Sequence, residues 1–394
     1  MERGGSAPAG ALTWLELDAE ALKDNVRLLK RRLPASARLA VAVKSNAYGH
    51  GLELAARAFI EGGADWLCVH SLSEASALRA VGLEQPIYVF GPTAPEALEE
   101  ALALKVRLVM YSREQLLRLA ELSRAEAEGS VKLHLKVETG NNRQGLPLPE
   151  LLALAEELKA HPQLALEGLS SHFANVEDTT DHSYAERQLA RFNEAYTALC
   201  ERGLRPEMRH IANSAATLLW PERAMEMARV GVSAYGLWPS RETQGVARQL
   251  ALMEGRPIPA LRPALTWLAR VAQVKELEAG ESIGYGCSFV TTRPSRIAVL
   301  PVGYFEGYDR GLSNVAHVLI HGQRAPVRGR VCMNMCMVDV SDIDEVREGD
   351  EAVLLGAQGD EELSAEQLAS WANTINYEVV ARIASHLPRR LKAH

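Results

Sequence analysis

"LAVAVKSNAYGHG", residues 39–51, delivers a single lysine, Lys44, at the end of an apolar run and then breaks into small and polar residues. Two readings are open for such a lysine. It is either a strand end that snorkels a charged head into water, or a nucleophile held in a pocket. The segments around it decide between them.

Working outward, β-like runs alternate with helix-like ones from residue 12 to about 245. The strand candidates are residues 39–44, 66–71, 87–91, 106–112, 132–137, 166–172, 208–214 and 227–236, eight in all. Between them lie amphipathic patterns such as "EALKDNVRLLKRRL" (20–33) and "REQLLRLAELSRAEAE" (113–128), with apolar residues three and four apart. Asp18 and Ser112 are suited to cap such helices. Eight strands, each followed by a helix, predict a (β/α)8 TIM-like barrel rather than an open sheet. Barrel enzymes build their sites at the C-terminal strand ends. The polar residues there, Lys44, Arg143, His172, Asn213 and Ser214, are therefore expected to meet at one mouth.

Beyond residue 247 the pattern changes. Residues 248–263, with three prolines, read as a linker, and residues 264–394 carry short alternating runs that predict a mainly β domain. Residues 1–11, rich in Gly and Ala, read as a frayed tail with no signal-peptide core. The chain of 394 residues is 47% hydrophobic, enough for two sizeable cores. A net charge of −7 argues against nucleic acid or an anionic membrane as partner. No run approaches the ~18 apolar residues that span a bilayer. The five cysteines (Cys68, Cys200, Cys287, Cys332, Cys336) show no CxxC spacing, so neither a disulfide framework nor a metal site is expected. These features predict a soluble, cytoplasmic enzyme.

A lysine at a barrel mouth suggests Schiff-base chemistry, which an aldolase-type barrel would also fit, because a partly desolvated amine loses basicity and becomes nucleophilic. A phosphate-bearing cofactor would need an anion cradle. Ser214 in "HIANSAAT" and Gly231 in "ARVGVSAYG" are suited to form one, though each also has a plain role as a helix cap or a bend. Arg229 begins the eighth run. An arginine facing a pyridine nitrogen only donates, so it favours an unprotonated ring and a less delocalised carbanion. Tyr285 stands between two glycines in "ESIGYGCSFV", a loop able to present it to a site elsewhere or simply a bulge with a packing aromatic. As a base it would need cations nearby, for which Arg143 and His172 are candidates.

Taken together, "AVAVKSNAYGHG", "HIANSAAT", "ARVGVSAYGLWPS", "SIGYGCSF", "LPVGYFEGYDRG", "GRVCMNMCMVDV" and "INYEVVARI" resemble the motifs of the alanine racemase family, in order, from about residue 12 to residue 388. The resemblance implies pyridoxal 5'-phosphate carried on Lys44. Its phosphate would be held by Tyr48, Ser214, the backbone of Gly231 and Val232, and Tyr377, with His172 and Asn213 also lining the cofactor. Arg229 matches the arginine at the pyridine nitrogen, and Arg143 a contact of the cofactor's phenolic oxygen and of the substrate. Lys136 matches a lysine, often carbamylated, that orients that arginine. Tyr285 matches the second catalytic base, which reaches into the other subunit of a homodimer with shared sites. Met333 matches the backbone amide for the substrate carboxylate, and Tyr304 a segment along the substrate's access route. The implied reaction is interconversion of L- and D-alanine, supplying D-alanine for peptidoglycan. The chain departs from the family at Asn141, Asn142 and Gln144, and at Asn334 where many members have aspartate. These departures bear on substrate range and keep a broad-spectrum racemase as the alternative. A related decarboxylase would carry an acidic partner for the ring nitrogen in place of Arg229. A non-catalytic cofactor carrier would lack residues 265–394.

Overall fold

The computed structural model describes residues 10–255 and 257–393; most of the expected N-terminal tail lies outside them. The chain divides into two compact units. One comprises Glu20–Lys44 and Ala55–Pro263; the other joins the residues up to Ala19, Ser45–Leu54 and the chain from Ala264 onward.

The first unit is the expected barrel. Its eight-stranded sheet runs in the order Met208–His210, Leu164–Ser170, Val131–Lys136, Arg107–Met110, Ile87–Val89, Trp66–Val69, Arg38–Ala42 and Met227–Val230. Every neighbouring pair is parallel. The two outermost strands meet through the Arg229 amide, which donates to the Ala212 carbonyl at 3.0 Å and nearly closes the sheet. Parallel pairing puts all eight C-terminal ends at one rim. The strands are short and apolar because both faces are covered: Leu39, Ala40, Val41, Leu67, Cys68, Val69 and Ile87 are fully buried. Helices follow from the periodicity. Ala19–Arg32 buries Ala21, Leu22, Asn25, Val26 and Leu29 on one face. Its single buried polar residue, Asn25, exchanges hydrogen bonds with the backbone of Arg262 at 2.8 and 2.9 Å. Ser112 caps Arg113–Leu122 by accepting from the Gln115 amide.

The second unit is mainly β. Its largest sheet takes the order Gln323–Pro326, His317–Ile320, Glu351–Gln358, Leu265–Arg270, Thr13–Leu17 and Arg389–Leu391, with Glu361–Leu363 paired to Glu351–Gln358. A second sheet holds Gln273–Leu277, Ser295–Leu300 and Cys336–Asp339. Two details differ from the sequence reading. The run Thr13–Leu17, which opens the alternation, pairs with Leu265–Arg270 and Arg389–Leu391 and not with any barrel strand. Its partners lie about 250 and about 375 residues away, beyond the reach of a local pattern. The expected linker begins as helix, since Arg241–Met253 continues to Met253 and irregular chain starts only near the prolines. No helix among the described residues is long and apolar enough to cross a membrane. The five cysteines are free thiols.

Candidate active site

Lys44 directly follows the strand Arg38–Ala42 and the buried Val43, whose amide donates to the Cys68 carbonyl at 2.8 Å. The side chain is half-buried, with Nζ 5.5 Å from the centroid of the Phe90 ring. Burial, then the positive charge of Arg143, lowers its pKa below the usual lysine value. A strand end in open water would show neither effect.

The barrel rim gathers other predicted residues. Lys136 ends the strand Val131–Lys136 and is buried. Burial, with the charges of Arg229 and Arg143, pulls its pKa down to about 7. Its Nζ donates to Gln144 Oε1 at 3.1 Å, and Gln144 Nε2 donates to the Phe90 carbonyl at 3.1 Å. The departure at Gln144 thus has a defined job, which is to hold the Lys136 amine. Arg143 is exposed on the same loop, one residue after Asn142 at φ +52°. Asn213 caps the helix Ser214–Leu219 by accepting from the Ala216 amide at 3.0 Å, and its Nδ2 donates to Glu177 at 3.0 Å. Ser214 Oγ accepts from the Gly231 amide at 2.9 Å. That bond joins the two predicted phosphate-binding stretches and leaves the serine's own proton to donate elsewhere. Val232 opens the short turn Val232–Tyr235 beside it.

Arg229 heads a network that the sequence reading did not anticipate. Its guanidinium donates to the carbonyls of His210 (2.8 Å) and Ser171 (2.6 Å), to His172 Nδ1 (3.3 Å) and to His210 Nδ1. Because a guanidinium only donates, His210 Nδ1 accepts and its proton sits on Nε2. That proton goes to His134 Nδ1 at 2.6 Å, which places the next proton on His134 Nε2, 3.1 Å from Glu167. Glu167 also accepts from Arg107 Nε at 3.1 Å and pairs with Lys132 at 3.0 Å. Burial depresses the pKa of both His134 and His210, so both rings are neutral. Burial alone would raise Glu167, but its hydrogen bond from His134 and the nearby positive charge hold it at about 2. The result is a line of fixed dipoles through the barrel, anchored on a carboxylate. His172 is neutral as well, through burial and the charges of Arg229, Lys136, Arg143 and Lys44. It therefore supplies no cation, contrary to the expectation that it would lower a tyrosine's pKa.

The second unit holds the remaining predicted residues. Residues 45–48 form a left-handed turn: Ser45, Asn46, Ala47 and Tyr48 have φ between +52° and +55°, followed by Gly49 at +80°. Left-handed backbone costs non-glycine residues about 1–2 kcal/mol each, so the surroundings must impose it. Asn46 contributes by accepting from the Leu52 amide at 2.9 Å through its side chain. The Tyr48 and Tyr377 rings lie 6.3 Å apart, Tyr377 being carried by the helix Asn376–Ala381. Tyr285 sits between Ser282–Ile283 and Phe289–Val290, flanked by Gly284 (φ +71°) and Gly286 (φ +72°), and is 74% exposed. Met333 is exposed. The Tyr304 and Phe305 amides donate to the carbonyls of Cys332 and Met333 at 3.1 and 2.9 Å, seating the Tyr304 segment against that loop. Asn334 donates to buried Glu306 at 2.7 Å, while the other oxygen of Glu306 accepts from the Gly303 amide at 2.8 Å. An aspartate at 334 would face a carboxylate there, and asparagine instead provides a donor.

A nearly closed parallel barrel with a half-buried lysine at a strand end, in a chain that also carries a separate, mainly β unit, defines a class of two-unit barrel proteins. The comparisons specify which. The family profile described as "Alanine racemase, N-terminal domain" matches residues 17–239, and "Alanine racemase, C-terminal domain" matches residues 264–391. The alanine racemase of Symbiobacterium thermophilum is 43% identical over 389 residues, covering 99% of this chain and 98% of that protein. That of Syntrophobacter fumaroxidans is 41% identical, covering 95% and 96%. Among solved structures, alanine racemase from D-cycloserine-producing Streptomyces lavendulae superposes with a TM-score of 0.89 at 34% identity, covering 99% of this chain and 98% of that one. The Bacillus anthracis enzyme with bound L-Ala-P gives 0.88 at 34%, covering 98% and 96%. The chain belongs to the alanine racemase family and is an isomerase.

Proposed function

We propose that this chain interconverts L- and D-alanine with bound pyridoxal 5'-phosphate, using Lys44 and Tyr285 as two bases, and that its D-alanine serves peptidoglycan synthesis. The observation that carries the reading is Lys44 itself: a half-buried amine of lowered pKa at a barrel strand end, in a chain matched by both domains of the family. The residues present suit the cofactor's chemistry. Ser214, tied to the Gly231 amide, offers a hydroxyl donor for a phosphate beside Val232, and the family resemblance assigns Tyr48 and Tyr377 to the same group. When bound, the group supplies an electron sink for the α-carbanion of an amino acid.

The chain's own residues do the rest. Arg229, which only donates, would hold the ring nitrogen by a hydrogen bond without protonating it. The line from His210 through His134 to Glu167 holds the guanidinium in that orientation. Racemisation requires a proton to leave one face of the α-carbon and another to arrive on the opposite face, so two bases are the simplest arrangement. Lys44, made less basic by burial, exchanges a proton on the D side; Tyr285 does so on the L side. Arg143 and the Met333 backbone orient the substrate, with His172 and Asn213 lining the cofactor and Lys136 placing Arg143. Tyr304 and Asn334 shape the substrate's approach. We further propose that residues 264–394 of one copy serve the barrel of a second copy in a homodimer, and that the enzyme works in the cytoplasm.

The test is to supply the purified chain with pyridoxal phosphate, incubate it with a panel of L-amino acids, and follow D-isomer formation by chiral chromatography. Alanine should racemise fastest, with serine weak, because one added polar group in a small pocket separates rates by only ~1–3 kcal/mol. Comparable turnover of large or basic amino acids would make the enzyme a broad-spectrum racemase. Cofactor binding without turnover of any amino acid would leave a carrier.

A further inference from the structure

We propose that Arg389 is a positioning residue for the cofactor: its guanidinium clamps the left-handed turn carrying Tyr48 to the helix carrying Tyr377, and so sets the spacing of the two tyrosines. The inference rests on the phosphate role assigned to those tyrosines above. Arg389 opens the strand Arg389–Leu391. Its Nε donates to the carbonyl of Gly49, the residue after Tyr48, at 2.8 Å. Nη1 donates to the carbonyls of Ala384 (3.2 Å), Ser385 (3.2 Å) and Leu387 (2.8 Å), and Nη2 to that of Ile383 (3.3 Å). Those four carbonyls belong to the chain leaving the helix Asn376–Ala381. One side chain thus bonds the end of the strained turn and the end of the Tyr377 helix.

The fit between the two segments is tight enough to transmit position. A Cβ on Gly49 would lie 1.9 Å from the Val380 carbonyl oxygen, so the turn rests directly on that helix. A Cβ on Gly51 would lie 3.0 Å from Arg389 Cδ, so the arginine stem crosses the turn's far end. His50 between them is buried, with Nδ1 2.9 Å from the Tyr48 carbonyl. Among the described residues no carboxylate pairs with Arg389, and its acceptors are all backbone carbonyls. The arginine therefore serves backbone geometry and leaves its charge un-neutralised. Four residues held in left-handed backbone need such an outside constraint.

The experiment titrates apo-protein with pyridoxal phosphate and, separately, with pyridoxal, which lacks the phosphate, following the cofactor's absorbance. Losing a charged hydrogen-bonding group in Arg389→Met should weaken pyridoxal phosphate binding about 10- to 100-fold and leave pyridoxal within about twofold. Arg389→Lys keeps the charge but donates from one centre, should fall between, and gives the same comparison if Arg389→Met does not fold. A general loss of structure would weaken both ligands alike; that result, or equal binding by variant and wild type, overturns the clamp. A wild-type chain that binds neither ligand overturns the cofactor reading on which the clamp rests.

Discussion

At the scale of single residues, position alone was enough to single out several candidate side chains. Lys44 and Ser214 are polar residues at or just after apolar strands, and a parallel barrel makes that location a rim, whereas Lys136 was named only through the family resemblance. Tyr285 was singled out by its glycine neighbours, both at positive φ, but its role as a base came from the family resemblance. Its exposure gives a clean test, because removing the hydroxyl takes no packing from the unit that carries it. Tyr285→Phe should bind pyridoxal phosphate as the wild type does and lose racemisation by about 10²–10⁴-fold, the usual worth of a general acid–base group. Cofactor absorbance and chiral chromatography read the two halves separately. Near-normal turnover would sink the two-base assignment. His134, His210 and Glu167 were not identified; Glu167 is a carboxylate inside the largely apolar run LALEGLS, while His134 and His210 share their strands with lysine or arginine. That carboxylate was the available signal.

At the scale of elements, strand and helix identities followed from periodicity, while the special conformations did not. "SNAYGHG" reads as a loop, and only asparagine and glycine hint at left-handed backbone; Ser45, Ala47 and Tyr48 adopt it as well, next to a Gly49 carbonyl bonded by the distant Arg389. The line from Arg229 to Glu167 is likewise a property of several strands together. It is also a stability element. Glu167→Ala strands the buried His134 N–H, an unsatisfied donor worth about 1–3 kcal/mol, whereas Glu167→Gln keeps an acceptor in place. Urea denaturation should therefore rank wild type above Glu167→Gln above Glu167→Ala. Equal loss in both variants would mean that the carboxylate's charge, paired with Arg107 and Lys132, matters and the acceptor does not.

At the scale of the whole molecule, a barrel followed by a mainly β unit was readable from the change in pattern near residue 247. The placement of Thr13–Leu17 was not, because a short apolar run before a helix looks like any other β/α repeat. The same scale sets the response to pH. Buried His134 and His210 are depressed in the barrel unit, and buried His50 in the other unit titrates at about 4. The cause at each is first desolvation, which burial imposes on the charged ring. Unfolded histidine titrates near 6.5. Between about 4 and 6.5 the unfolded chain therefore binds more protons than the folded one, and stability falls as pH falls. His50 alone accounts for at most about 3 kcal/mol across that window, or about 1.4 kcal/mol per pH unit within it. Denaturation in urea at several pH values between 5 and 6.5, above the main carboxylate range, isolates this contribution. His50→Gln removes one titrating group, so its stability should decline less steeply with acid than the wild type's, by about that slope. The absolute stability of the variant is immaterial, since the slope alone counts the proton. An unchanged slope would mean that the His50 ring reaches water on its own, and that the turn beneath Tyr48 opens without global unfolding.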